Sequence, residues 1–113
     1  MVYQGIGVAA NRVINRIAGT IRIIKRGSMY YGVLDKSASI FKDELINKHV
    51  IAKLYIGNNV LPIRTHVTIE TAYMPPRLKI TIPSALAPLA EQLRGRDIKV
   101  VIEYEDNEVS TSG

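Results

Sequence analysis

Ile63-Arg64-Thr65-His66-Val67-Thr68-Ile69-Glu70-Thr71-Ala72-Tyr73 is the stretch on which the fold turns. Apolar or β-branched side chains at 63, 65, 67, 69, 71 and 73 alternate with Arg64, His66, Thr68, Glu70 and Ala72. A period of two sends the two sets to opposite sides of an extended chain, so the run reads as a long strand with one polar face. Pro75-Pro76 ends it, because proline supplies no donor to a ladder.

Outward from that strand the same period recurs. Val50, Ala52, Leu54 and Ile56 alternate with Ile51, Lys53 and Tyr55, and Gly57-Asn58-Asn59 marks the turn that follows. Further back, 20–25 reads as a strand, Arg26-Gly27-Ser28 as a turn, and 29–34 as the antiparallel return, broken by Asp35-Lys36-Ser37. Residues 39–41 are expected to form a short strand and 42–46 a single helical turn. On the other side, 78–82 is a strand, Ser84 caps a helix over 85–93, Gly95 stops it, and 98–104 is the last strand. Near the start, Ala10, Val13, Ile14 and Ile17 follow helical spacing, with Arg12 and Arg16 one turn apart on another face. That segment, 8–18, reads as a short basic amphipathic helix or, being β-branched and closed by Gly19-Thr20, as a strand or ordered arm.

The second half repeats the first. Phe41-Lys42-Asp43-Glu44-Leu45 placed over Ile82-Pro83-Ser84-Ala85-Leu86 aligns a strand end, a cap and a helix start. Val50, Ala52, Leu54 and Ile56 then fall on Ile98, Val100, Ile102 and Tyr104, given about seven extra residues in the second copy's helix. One such unit has an apolar face that it cannot bury alone. The expected fold is therefore mainly β with short helices: two tandem strand-turn-helix-strand half-barrel units, 20–57 and 60–105, closing one barrel-like domain over 20–105. Residues 1–19 are expected as a basic N-terminal arm or short helix, and 106–113 as a disordered acidic tail.

Leu78-Lys79-Ile80-Thr81-Ile82-Pro83-Ser84-Ala85-Leu86, a helix, and then Gly95-Arg96-Asp97-Ile98-Lys99-Val100 resemble the half-barrel of the AbrB and SpoVT swapped-hairpin DNA-binding family. The shared pattern is a strand ending in Ile-Pro, a short helix with leucine, and a Gly-Asp-like turn into a final strand. Here the turn reads Gly-Arg-Asp; in the first copy Lys42 replaces the proline and Asn47-Lys48 the glycine turn, so the resemblance rests mainly on 78–105. It implies a swapped-hairpin barrel, a homodimer, and double-stranded DNA held by basic residues of the strand pair and its loops. By position these are Arg22, Lys25 and Arg26 from the first copy and Arg64, Arg77 and Lys79 from the second.

Charge points the same way. Lys+Arg 15 against Asp+Glu 10 gives a formal net charge of +5 and a pI near 9.6, a sign that concentrates polyanions. Glu103, Glu105, Asp106 and Glu108 crowd the C-terminal end, leaving the rest more basic than the total. With no cysteine, disulfides, thiol catalysis and cysteine-ligated zinc are excluded. No apolar run approaches the length of a membrane span, and Met-Val-Tyr-Gln-Gly lacks the charged-then-apolar pattern of a signal peptide, so a soluble cytoplasmic protein is expected.

Each chemically suggestive residue also has a plainer reading. Arg22, Lys25 and Arg26 line a hairpin as phosphate ligands would, or are a solvated turn, or guard a sheet edge against aggregation. Arg12 and Arg16 suit an arm along DNA or the wet side of a packed segment. Arg94 and Arg96 flank Gly95, where a glycine lets backbone amides approach a phosphate, or else simply supply the positive charge that a helix C-terminus favours. Tyr30, Tyr31, Tyr55, Tyr73 and Phe41 are read first as core or sheet surface and second as base-stacking platforms. His49 and His66, seventeen residues apart without ligand spacing, read as ordinary surface histidines. Asp43-Glu44 suits a helix start, and Gly5-Ile6-Gly7 lacks the third glycine of a dinucleotide loop. No nucleophile, base and orienting acid group together.

The resulting expectation is a DNA-binding protein, a transcription regulator or chromatin-type, that is not an enzyme and uses no metal or cofactor. Its nucleic-acid contacts are assigned to Arg12, Arg16, Arg22, Lys25, Arg26, Arg64, Arg77 and Lys79. Alternatives are a structural or assembly protein, such as a virion component or small subunit of a larger complex, and an RNA- or ribosome-associated protein.

Overall fold

Inward-facing residues at every second position build most of the strands of the computed structural model, which describes residues 13–106. In chain order the elements are β1 (Val13–Arg26), β2 (Met29–Leu34), a 3-10 helix (Lys36–Phe41), α1 (Lys42–Leu45), β3 (His49–Ile56), β4 (Asn59–Glu70), β5 (Arg77–Ile82), a second 3-10 helix (Ser84–Leu86), α2 (Ala87–Leu93) and β6 (Asp97–Asp106). The strands pair antiparallel into a closed barrel in the order β1-β2-β5-β4-β3-β6. Ile17, Ile21 and Ile23, Leu34, Val50, Ala52 and Leu54, Ile63 and Val67, Leu78, Ile80 and Ile82, and Ile98, Val100 and Ile102 point inward, joined by Leu45 and Leu93 from the helical segments. Fully burying one such aliphatic side chain is worth about 1.5–3 kcal/mol. The core closes within one chain.

Closure needs one bare position. A Cβ on Gly32 would lie 2.8 Å from Ile21 Cδ1 and 3.3 Å from Ile80 Cγ1, so the two isoleucines already fill that space.

Several sequence expectations are corrected. Of the readings open for residues 13–19, the strand holds rather than the helix or arm: they form the first half of β1 and pair with β6, from Val13↔Asp106 to Gly19↔Val100. The helical spacing lost because Val13, Ile14 and Ile17 are β-branched and β6 offers them a ladder. Residue 12 and those before it lie outside the described residues, as do 107–113, whereas Asp106 belongs to β6 rather than to a tail. Residues 39–41 are not a strand but the end of a 3-10 helix. There Asp35 turns the chain as soon as β2 ends, its carboxylate accepting the Thr20 N–H at 2.8 Å and the Ser37 hydroxyl. Ser84 makes no cap; Pro83 holds that position without a side-chain hydrogen bond. The long alternating strand keeps its predicted faces but runs over 59–70, with Thr71, Ala72 and Tyr73 in the following loop. A closed barrel also has no edge, so the hairpin cations guard none.

The two copies are real in topology, and the β3 and β6 positions align as in the sequence, but the segment upstream of them is offset differently. β2 maps onto β5 and the start of β3 onto that of β6 at a constant spacing of 48 residues, Met29 to Arg77 and His49 to Asp97. Exchanging β1 with β4, β2 with β5 and β3 with β6 leaves the order of strands around the barrel unchanged. Finer details repeat as well. Asn47 and Gly95, equivalent at that spacing, both have positive φ, 62° and 81°. The Asn47 N–H donates to Val67 O at 2.7 Å and the Gly95 N–H to Ile23 O at 3.0 Å. Leu45 and Leu93 are the matching buried leucines. The extra residues therefore sit not in the second helix but in the β4–β5 loop, 71–76, against the 27–28 turn of the first hairpin.

Candidate nucleic-acid interface

Ladder registers fix which side chains are neighbours on the outside of β4, β3, β6 and β1. Arg64, Ile51, Glu103 and Arg16 form one row across these strands; Pro62, Lys53, Val101 and Ala18 form the next; Val60, Tyr55, Lys99 and Thr20 the third. Arg22 extends the surface beside Asp97. Rows are about 7 Å apart along a strand and strands about 4.8 Å apart. Arg16, Arg22, Lys53, Arg64 and Lys99 therefore stand among three carboxylates, Glu103, Asp97 and, one row beyond Arg16, Glu105, with the exposed Tyr55 between them.

The carboxylates hold three of the five cations. Glu103 takes Arg16 Nε at 2.7 Å and Lys53 Nζ at 3.0 Å, and these two donors hold its carboxyl below the ordinary range against a smaller upward push from burial. Arg22 pairs with Asp97 at 2.9 Å, an exposed pair of small worth. Arg64 and Lys99 have no ion pair among the described residues. The face is thus a mixed, net-positive sheet surface with two unmatched cations.

On the opposite side of the barrel the cations are tied down. Glu70, 4% exposed, accepts Arg26 Nη2 at 3.0 Å, Lys79 Nζ at 3.2 Å and the Ala72 N–H at 3.0 Å. Burial pushes its carboxyl up, and the Ala72 amide, Arg26 and Lys79 together more than reverse this, so it lies below its usual value. Lys79 also covers the Tyr31 ring at 4.5 Å and Arg77 the Tyr73 ring at 4.5 Å. Lys25 sits over Tyr30 at 5.6 Å, whose hydroxyl donates to Glu91, the partner of Arg94.

At one edge of the basic face the barrel opens into a cleft of about 890 Å³. His49 and His66 lie on its wall directly opposite one another, with ring centroids 6.0 Å apart. Asn47, Lys48, Arg64, Thr65, Tyr104 and Glu105 complete much of the lining. Lys48 leans over the Tyr104 ring at 5.4 Å, and the Tyr104 hydroxyl donates to Glu44 at 2.6 Å.

The sequence-assigned cations therefore do not gather into one patch. Arg16, Arg22 and Arg64 share the β4-β3-β6-β1 face; Arg26, Arg77 and Lys79 lie on the β2-β5 side in a packed clasp; Lys25 sits at the hairpin tip by α2. Arg12 lies outside the described residues. Lys53 and Lys99 were missed, although their outward parity on the alternating strands 50–56 and 98–104 marked them. The pairing of the two histidines was invisible in sequence, because it depends on the β3–β4 register.

Among the described residues there is no group of three or more His, Asp or Glu side chains placed to hold a metal, and no helix long and apolar enough to cross a membrane. No family model, curated protein or solved structure matches the chain.

Proposed function

We propose that the chain is a DNA-binding protein, a transcription regulator or chromatin-type, that grips the phosphate backbone with the outer face of β1, β6, β3 and β4. The observation that carries the reading is five cations on four adjacent strands against three carboxylates, with Arg64 and Lys99 unmatched among the described residues. Their spacing along and across strands is commensurate with successive phosphates, and phosphate contacts position a protein without reading sequence. Tyr55 and Val60 give the same surface an apolar component for sugar edges. Arg26, Arg77 and Lys79 act in this reading as structural cations, since Glu70 and two tyrosine rings already occupy them.

The test is a salt series on duplex DNA. About four phosphate contacts give a log–log slope near −4. Replacing Arg64 and Lys99 by alanine lowers its magnitude by about 2, uniformly across sequences. A slope unchanged by that double substitution, or preference for structured RNA over duplex in competition, would overturn the assignment.

A further inference from the structure

The chain has two histidines and no cysteine, and the fold sets both imidazoles side by side. His49 and His66 are direct partners in the β3–β4 ladder. The 57–58 turn is closed by the hydrogen-bonded pair Ile56↔Asn59; alternation from there makes His49↔His66 a non-hydrogen-bonded pair, the kind whose side chains approach most closely. Both residues are exposed. Their rings are tilted by 57° with centroids 6.0 Å apart, which is not a stacked arrangement.

That separation suits a shared ion. With metal–nitrogen bonds of about 2.0–2.1 Å, and roughly 1.1 Å more to each ring centre, two imidazoles at a tetrahedral angle have centroids about 5 Å apart. Closing from 6.0 Å takes a modest side-chain rotation of two exposed residues. The surroundings permit it. Glu105 lines the same cleft, Glu103 is neutralised by Arg16 and Lys53, and Lys48 is drawn over the Tyr104 ring. The cleft is open and roomy enough for water to fill the other coordination positions.

We propose that His49 and His66 form a two-point site for a borderline divalent transition metal such as Zn²⁺ or Ni²⁺, with water completing the shell. Imidazole selects these ions over Mg²⁺ and Ca²⁺, which need oxygen ligands. With two protein ligands the ion is exchangeable and keeps positions open to an incoming anion. The proposal does not rest on DNA binding, although Arg64 lines the same cleft.

The test titrates Zn²⁺ alone into the full, tag-free chain, following the ring resonances of both histidines by NMR and stoichiometry by calorimetry. One ion per chain should bind, moving both rings together. His49→Ala and His66→Ala should each weaken binding by roughly a hundredfold, because linking two weak ligands makes the second bond intramolecular. Mg²⁺ should not compete. Absence of binding at millimolar Zn²⁺, perturbation of one ring alone, or affinity that survives either substitution would overturn the site; the wild-type NMR readout does not depend on how the variants fold.

Discussion

Replacing Glu70 by glutamine keeps the side chain's size and removes the charge that Arg26, Lys79 and the Ala72 amide converge on. Glutamine still accepts the amide, but its NH₂ group would face a cation. Arg26 is 48% exposed, so water replaces most of what it loses; Lys79 is 18% exposed and carries most of the cost. Charge-assisted hydrogen bonds contribute about 1.5–3 kcal/mol each when shielded, and after discounting Arg26 the loss is about 2–3 kcal/mol. For a chain of this size that is a fall of about 8–12 °C in Tm. Acid supplies the internal control. The folded carboxyl titrates below the 4.5 of an unperturbed glutamate, so its stabilisation is present in full above that value and disappears as pH falls through the lower folded one. Calorimetric melts of both proteins should differ at pH 7 and draw together only as the pH falls from 4.5 through the lower value at which the folded carboxyl titrates. A difference under about 1 kcal/mol at pH 7, or one that persists unchanged in acid, would refute the clasp, since a buried hydrogen-bonded charge cannot be lost that cheaply.

Other consequences follow from the backbone and the core. Gly95→Ala, at φ 81°, should cost about 1–2 kcal/mol in urea denaturation, whereas Asn47→Gly at the equivalent position should change stability by less than about 0.5 kcal/mol. Gly32→Ala should cost about 1–3 kcal/mol through its Cβ meeting Ile21 Cδ1. Ile21→Val deletes that methyl, so the double variant should be more stable than the two single losses added together, a coupling read from a four-protein cycle.

How much of this the sequence disclosed depends on the range of the interaction. Period-two alternation at 50–56 and 63–69 specified both strands and their inward faces, because burial on one side writes itself into neighbouring residues. The repeat was legible too, through Val50, Ala52, Leu54 and Ile56 against their partners in β6. Its alignment slipped upstream, because the Ile-Pro of the second copy corresponds in space to Leu34-Asp35, two residues with no chemical likeness to it beyond one aliphatic. For 13–19 the local signals were divided, β-branched residues favouring a strand and the spacing a helix, and pairing with β6 almost ninety residues away decided between them.

Sites fared worse for the same reason. Arg26 and Glu70 occupy equivalent positions in the two copies, since the spacing from β1 to β4 is 44 residues, as Ile23 and Val67 show. In two identical halves that position would set like charges against each other. Within one chain the copies are free to differ, and the positions hold opposite charges in contact. Arg26, assigned to DNA from its place in a hairpin, also joins the two hairpins through Glu70, a contact that only the three-dimensional register reveals.

The most direct examination is an NMR footprint: a short duplex titrated into the isotope-labelled chain at low salt, with every amide followed. Perturbations confined to outward positions of β1, β6, β3 and β4, centred on Lys53, Arg64 and Lys99, are the predicted result. Shifts concentrated on β2, β5 and the Arg26–Glu70 clasp instead, or no shifts at all, would contradict it.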